Sequence, residues 1–323
     1  MLAQALPHAE RRPGVRFVPT HERILAVLLL AETAVFCVIG RHFVSADNAF
    51  EIVRLSVEVG LLALAMTPVI VTGGIDLSVG SLIALSAVLF GKLFRDAGLP
   101  VGVAAVLTLG AGALAGLLNA ALITGLRLPP LIVTLGSFSL FRGLAEGLTG
   151  GSDSFMCPKS FLFLGQGAQI PVFLVAAAGF WLLLHRSAIG RGLTAIGLSP
   201  EGARHAGIPV GRRVALVYVL SGVVASLSSL IYVSRYTQAR ADAGTGYELL
   251  AITAVVLGGT SIFGGRGRIS GTLLGLFAIA ILERGMKLAD LGDQLAQILV
   301  GVLLLTALGA NALLEKLSTR RAA

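Results

Sequence analysis

Charge is what this chain has least of. Asp, Glu, Lys and Arg together make up 13% of its 323 residues, about half the share of a soluble domain. A surface so poor in charge cannot face water all round, which excludes an ordinary cytosolic enzyme and a disordered protein. Cysteine is scarce too: Cys37 and Cys157 are the whole complement, and Cys37 lies inside an apolar run, so there is no disulfide framework. The five histidines fall at no metal-ligand spacing, and no G-x-S-x-G nucleophile motif occurs. No metal, no cofactor and no catalytic residue is therefore expected. A phosphate-binding G-x-x-x-x-G-K-[ST] loop is also absent; GGRGRISGT (264–272) has the glycines but no lysine before its hydroxyl. Any ATP hydrolysis that serves this chain must occur on another one.

What the sequence has is oil. Hydrophobic residues reach 55%, glycine contributes 41 positions, and the mean hydropathy is +0.89. Glycine at that level, without a collagen-like period, suits close helix packing in a membrane. About 20 apolar residues cross the ~30 Å hydrocarbon layer as a helix. Ten segments qualify: 24–40, 52–72, 75–93, 100–125, 131–148, 170–185, 214–233, 249–263, 270–287 and 294–310. The expectation is an all-α polytopic transmembrane bundle of about ten spans. Residues 1–23 form a leader, 24–310 the membrane domain and 311–323 a tail. Only Gly73 and Gly74 separate the second span from the third, so 52–93 reads either as two crossings or as one broken helix. The first run is no cleaved signal peptide: its leader mixes acids and bases, the run contains Glu32, and no A-x-A site follows.

The few charges are distributed unevenly. With the N-terminus inside, the inner segments hold 15 of the 25 basic residues against four acids, Glu10, Glu22, Glu201 and Glu315. That bias places both termini in the cytoplasm. The high isoelectric point of about 10.2 is then a topology signal and not a nucleic-acid footprint.

The longest inner connection, 186–213, carries a helix start. Ser199 is suited to cap, Pro200 to open the helix, and Glu201 to complement the positive end of its dipole. A short helix is expected over 200–206, ending near Gly207 with Pro209 beyond. From these residues alone it reads equally as a surface turn and as a docking element for a cytoplasmic partner.

Four blocks, GGIDLSVGS (73–81), LPPLIVTLGSFSLFRG (128–143), AIGLSPEGARHAGIPVGRR (195–213) and AVVLGGTSIFGGRGRISGT (254–272), together resemble the permeases of bacterial ATP-binding-cassette sugar importers. The group is that of ribose, xylose, rhamnose and autoinducer-2 permeases, related to branched-chain amino-acid permeases, and the resemblance spans about 20–310. It implies a subunit in the bacterial inner membrane that pairs with a second permease and two ATPase subunits. A periplasmic sugar-binding protein would deliver the substrate. It also implies that 195–209 is the region pressing on the ATPase, with Ser199, Pro200, Glu201, Arg204 and Gly207 as its coupling residues. Gly202 stands where the family often has alanine, at a helix cost of up to ~1 kcal/mol. The scarcity of acids within the spans tells against the alternative, an ion-coupled carrier or facilitator.

Single residues have a plain reading and a sharper one. Asp76 and Ser78 suit a helix cap, or line a sugar path. Asn119 needs an interhelical partner, or meets the substrate. Ser137 and Phe138, with Phe141, supply the hydroxyl and aromatic face of a sugar site, or simply pack. Gly112/Gly116 and Gly271/Gly275 form G-x-x-x-G pairs that flatten a helix face for packing. Arg142 and Glu146, four apart, are expected to pair along one helix, or else to meet a docked binding protein. Glu283, Arg284 and Lys287 share the outer end of the ninth span. Phe155, Phe161 and Phe163 are expected as exposed aromatics in the outer loop 149–169. VTGGIDLSVG (71–80) and VLGGTSIFGG (256–265) look alike, and the likeness reads as chance or a shared packing need.

Overall fold

The computed structural model describes residues 21–40, 42–149 and 159–322. Among these the chain is helical, with no strand. In order the helices are α1 (His21–Ile39), α2 (Ala46–Leu55), α3 (Val57–Val71), α4 (Val79–Gly91), α5 (Val101–Thr124), α6 (Pro130–Thr149), α7 (Gln169–Trp181), α8 (Ala188–Leu198), α9 (Pro200–His205), α10 (Val210–Tyr236), α11 (Tyr247–Leu257), α12 (Ile269–Leu288) and α13 (Asp293–Ala322). Single π-turns lengthen α4 to Asp96 and α7 at both ends, so that its helical unit runs Leu164–Arg186.

Five helical units are long and apolar enough to cross a bilayer: α5, α6, the α7 unit, α10 and α12. A sixth is the pair α2–α3, bent by 47° at Ser56. The hydroxyl of Ser56 donates to the Ile52 carbonyl at 2.5 Å, a side-chain bond that competes with the helical ladder and bends helices. The other four expected spans are helical but fall short. α1 carries Glu22, Arg23 and Glu32, the lengthened α4 carries Lys92, Arg95 and Asp96 in its last turn, α11 has 11 residues, and the apolar part of α13 is 294–307. Between α3 and α4 the chain is broken over 72–78; the two helices both pack on α10 and barely touch each other.

α10 is the centre of the bundle, packed on α3, α4 and most extensively on α5. Its serines act as interhelical bridges where water cannot serve. Ser226 meets Ser86 at 2.8 Å, Ser229 donates to the Ile83 carbonyl at 2.8 Å, and Ser228 donates to the Glu58 carbonyl at 3.1 Å. Gly112 and Gly116 lie on the α5–α10 contact, where a methyl group on either would overlap Ser226 or the Tyr218 carbonyl. Gly271 and Gly275 lie on α12 against the end of α11, at the carbonyls of Gly258 and Ala254. Both G-x-x-x-G pairs thus make contacts within one chain. Outward, Val106, Leu114, Ile132, Val175 and Leu305 are each at least 66% exposed, the belt expected of helices facing hydrocarbon.

The two look-alike stretches do the same thing and meet. Each helix, α3 and α11, ends in a reverse turn whose left-handed glycine, Gly73 (φ 84°) or Gly259 (φ 85°), bonds back to the helix. Any side chain would be strained at that φ. Further along the second stretch, Gly265 N–H donates to the Val71 carbonyl at the end of α3, at 2.9 Å.

Candidate functional site

The break between α3 and α4 places a carboxylate inside the bundle. Asp76 Oδ1 accepts from the backbone N–H of Ser78 at 3.0 Å and from its hydroxyl at 2.6 Å, while Oδ2 accepts from Ser221 Oγ of α10 at 2.8 Å. Asn119 Nδ2 of α5 donates to Ser78 Oγ at 2.9 Å, and Ser137 Oγ of α6 donates to Asn119 Oδ1 at 2.5 Å. Four elements are tied through one chain of polar groups, every member at most 4% exposed. Two hydroxyls and one backbone amide surround the carboxylate among the described residues, so dipoles and no formal cation satisfy it. A few residues away, the Tyr218 hydroxyl is buried without a hydrogen-bond partner among the described residues, against Gly74. Such a cluster can orient polyhydroxyl groups by exchange of donors and acceptors, provided the helices part enough to admit them.

Four of the five expected path residues, Asp76, Ser78, Asn119 and Ser137, are therefore in one network. Phe138 is not: it is half-buried on α6, with the Arg142 guanidinium 6.0 Å from its ring. Phe141 packs in the core. Ser221 and Tyr218 were not foreseen, since a serine and a tyrosine in an apolar span carry no signal until the helix facing them is known.

Elsewhere the expectations need correction. Arg142 does not pair with Glu146; its guanidinium donates to the carbonyls of Ala241 (2.5 Å) and Ala243 (3.2 Å), and Glu146 is exposed. Carbonyls of a turn face the helix there and satisfy the cation better than an exposed neighbour does. Arg240 braces the same turn through both its bonds to Asp242, holding that carboxyl below its usual range. Phe161 is buried, stacked on Phe90 at 4.8 Å, whereas Phe163 is exposed; Phe155 and Cys157 lie outside the described residues. Arg284 donates to Asn48 at 2.8 Å. One buried ion pair went unforeseen: Arg235 at the end of α10 donates to both carboxylate oxygens of Glu58 in α3, at 2.9 and 3.0 Å. An acid in one apolar run and an arginine at the corresponding end of another was the available signal.

The inner connection folds as a two-helix unit. Ser187 caps α8 by accepting from Gly190 N–H, and Ser199 caps α9 by accepting from Gly202 N–H at 3.0 Å. Pro200 opens α9, Glu201 follows in its first turn, and the chain leaves through Gly207 (φ 77°). The helix ends one residue before the expected 206. Ser199, Pro200, Glu201, Arg204 and Gly207 are all exposed. Underneath, Ala203 packs with Ile196 and Val210 in a small apolar cluster of its own. Arg213 holds α8 to α10 by donating to the Ala188 and Ile189 carbonyls.

An apolar belt around helices long enough to cross a bilayer, with a polar centre inside, marks a multi-pass membrane protein. Residues 48–308 match the family described as the permease component of branched-chain amino acid transport systems. The chain belongs to that family, and within it to the permeases of ATP-binding-cassette importers. It is 36% identical over 296 residues to the autoinducer 2 import system permease protein LsrD of Escherichia coli (strain K12), covering 88% of this chain and 89% of that one. The proteins of the same description from Shigella flexneri (36%) and Salmonella paratyphi A (37%) match over the same shares. No solved structure matches the chain.

Proposed function

We propose that this chain is the membrane-spanning subunit of an ATP-driven importer of a small sugar-like solute, a pentose, a deoxyhexose or an autoinducer-2-like molecule. It spans the bacterial inner membrane about ten times with both termini in the cytoplasm, α1, α4, α11 and α13 completing the count. A leader over 1–23 and a tail over 311–323 flank the membrane domain; the leader reaches into α1 at His21, and the tail continues α13. A second permease, identical or a sister chain, two ATPase subunits and a periplasmic binding protein complete the assembly.

The single observation that carries this reading is the likeness to the autoinducer 2 import permeases along nearly the whole chain, with an exposed α9 where the coupling residues were expected. The loaded binding protein docks on the outer loops, and ATP draws the ATPase pair together on the inner face. Ser199, Pro200, Glu201, Arg204 and Gly207 carry that motion into the bundle. The solute path runs past Asp76, Ser78, Asn119, Ser137 and Phe138. Because ATP can shift the bundle only by binding one of its states better, the closed polar cluster is one state and a parted cluster the other. The subunit itself makes and breaks no covalent bond.

A second reading, an ion-coupled carrier, draws on one feature: Asp76 is a buried carboxylate held by two hydroxyls and one backbone amide, the setting of a proton site. Uptake of radiolabelled ribose, rhamnose and autoinducer-2 by proteoliposomes holding the assembled subunits separates the two. Uptake that needs internal ATP and survives a protonophore supports the importer. Uptake by the purified chain alone, abolished by the protonophore, refutes it.

A further inference from the structure

Three segments of backbone meet at one point with no side chain between them. The first is the end of α3 and its turn (71–74), the second the end of α8 (197–198), the third the turn at 264–265. Gly265 N–H donates to the Val71 carbonyl, and a methyl group on Gly197 would overlap both of those atoms. A methyl on Gly264 would stand 2.9 Å from Gly73 N and 3.0 Å from Gly197 Cα, closer than packed carbon tolerates. Val71 is fully buried, so the junction is not a surface accident.

Its position along the chain matters. Gly197 lies two residues before Ser199, the cap of α9, and Val71 lies five residues before Asp76. The other partner, Gly265, belongs to the second helix break, between α11 and α12. The same 72–78 break is also tied to α6, because Thr134 donates to the Ile75 carbonyl at 3.1 Å.

We propose that Gly197 is a positioning residue through which displacement of α9 reaches both helix breaks at once, and through the first of them the Asp76 cluster. Bare backbone contact makes this a stiff link: there is no rotamer to absorb the push, and the left-handed glycines within it, Gly73 and Gly264, turn the push into rotation of α4 and α12. The proposal rests on the importer reading, since it needs an engine that moves α9.

The test uses the full assembly with its ATPase subunits in nanodiscs, on a background with Cys37 and Cys157 replaced by serine. Nitroxide labels at Thr72→Cys and Phe263→Cys, held at short range by the approach of Gly73 to the Phe263 carbonyl, report the junction by dipolar broadening of continuous-wave spectra, without nucleotide and after trapping with ATP and vanadate. A label pair including Ala206→Cys reports α9 in the same way. In the native background, trapping shifts the 72–263 distance on the order of 2 Å together with α9. In Gly197→Ala the junction shift falls at least five-fold, while co-purification and ATP hydrolysis stay within two-fold of native. That combination, hydrolysis kept and motion lost, is one that a merely structural glycine does not produce. The same junction shift in Gly197→Ala overturns the proposal. So does a junction that stays still in the native assembly while α9 moves, a measurement that holds even if the alanine variant does not assemble. Failure of the native chain to co-purify with any ATPase overturns the importer reading, and the junction with it.

Discussion

The ion pair between Glu58 and Arg235 gives the sharpest energetic test of the fold. Their side chains are 1% and 6% exposed, so neither charge can be rescued by water. Glu58→Leu would leave the guanidinium with one carbonyl, that of Arg54 at 3.2 Å, and the face of Tyr236 at 4.8 Å. Neither cancels a full charge, and an orphaned buried charge costs about 3–5 kcal/mol. Arg235→Met strands the carboxylate at a similar cost. Replacing both removes the pair together with its desolvation, so the double variant should fall within about 2 kcal/mol of the native chain, far less than the two single losses combined. Unfolding in mixed micelles by titration with dodecyl sulfate, followed by circular dichroism, measures all four corners of the cycle. Single losses that add to within about 0.5 kcal/mol in the double variant would refute the view that the pair is one buried unit.

Four further outcomes follow from other contacts. Asp76→Asn keeps the Oδ1 acceptor and should cost about 0.5–1.5 kcal/mol, whereas Asp76→Ala leaves three donors unpaired at about 1–3 kcal/mol each; equal losses in the same titration would deny the network. Gly116→Leu should lower stability by about 1–3 kcal/mol through overpacking against α10, while Gly110→Leu, which meets nothing within 4 Å, should not. Glu201→Ala with Arg204→Ala should reduce ATPase co-purification; Gly202→Ala should not, because its methyl meets only Ser199 and favours the helix by up to ~1 kcal/mol. With the native cysteines removed, Lys159→Cys should react with an impermeant maleimide from outside intact cells and Arg204→Cys only after permeabilisation; the reverse pattern would invert the topology.

Much of this molecule was written in its pattern of apolar runs and glycines. The helix at 200–205 was legible because capping is local: a serine, a proline and a glutamate in sequence specify where a helix begins, whatever the rest of the chain does. Asp76, Ser78, Asn119 and Ser137 were legible as polar groups that had to find partners in an apolar setting. Which partners they found was not, because Ser221 lies 145 positions from Asp76 and only the packing of α10 against the break brings them together. Arg142 was misjudged for the same reason: an i, i+4 neighbour is visible in the sequence, and a turn 99 residues away is not. The early end of α11 was hidden by composition, since apolar residues continue through 249–263 while the left-handed glycine at 259 stops the helix before a full crossing is reached.

The small apolar cluster beneath α9 is linked to the main core through the half-buried Val214 alone, and this sets the segment's behaviour apart from that of the bundle. Its amides should exchange hydrogen through a private opening, at an energy well under that needed to melt the membrane helices. On the importer reading, exchanging the stretch from Ser187 to Val210 between relatives, together with the backbone it meets at Val71 and Gly265, is expected to re-address the protein to a different motor and leave its cargo unchanged.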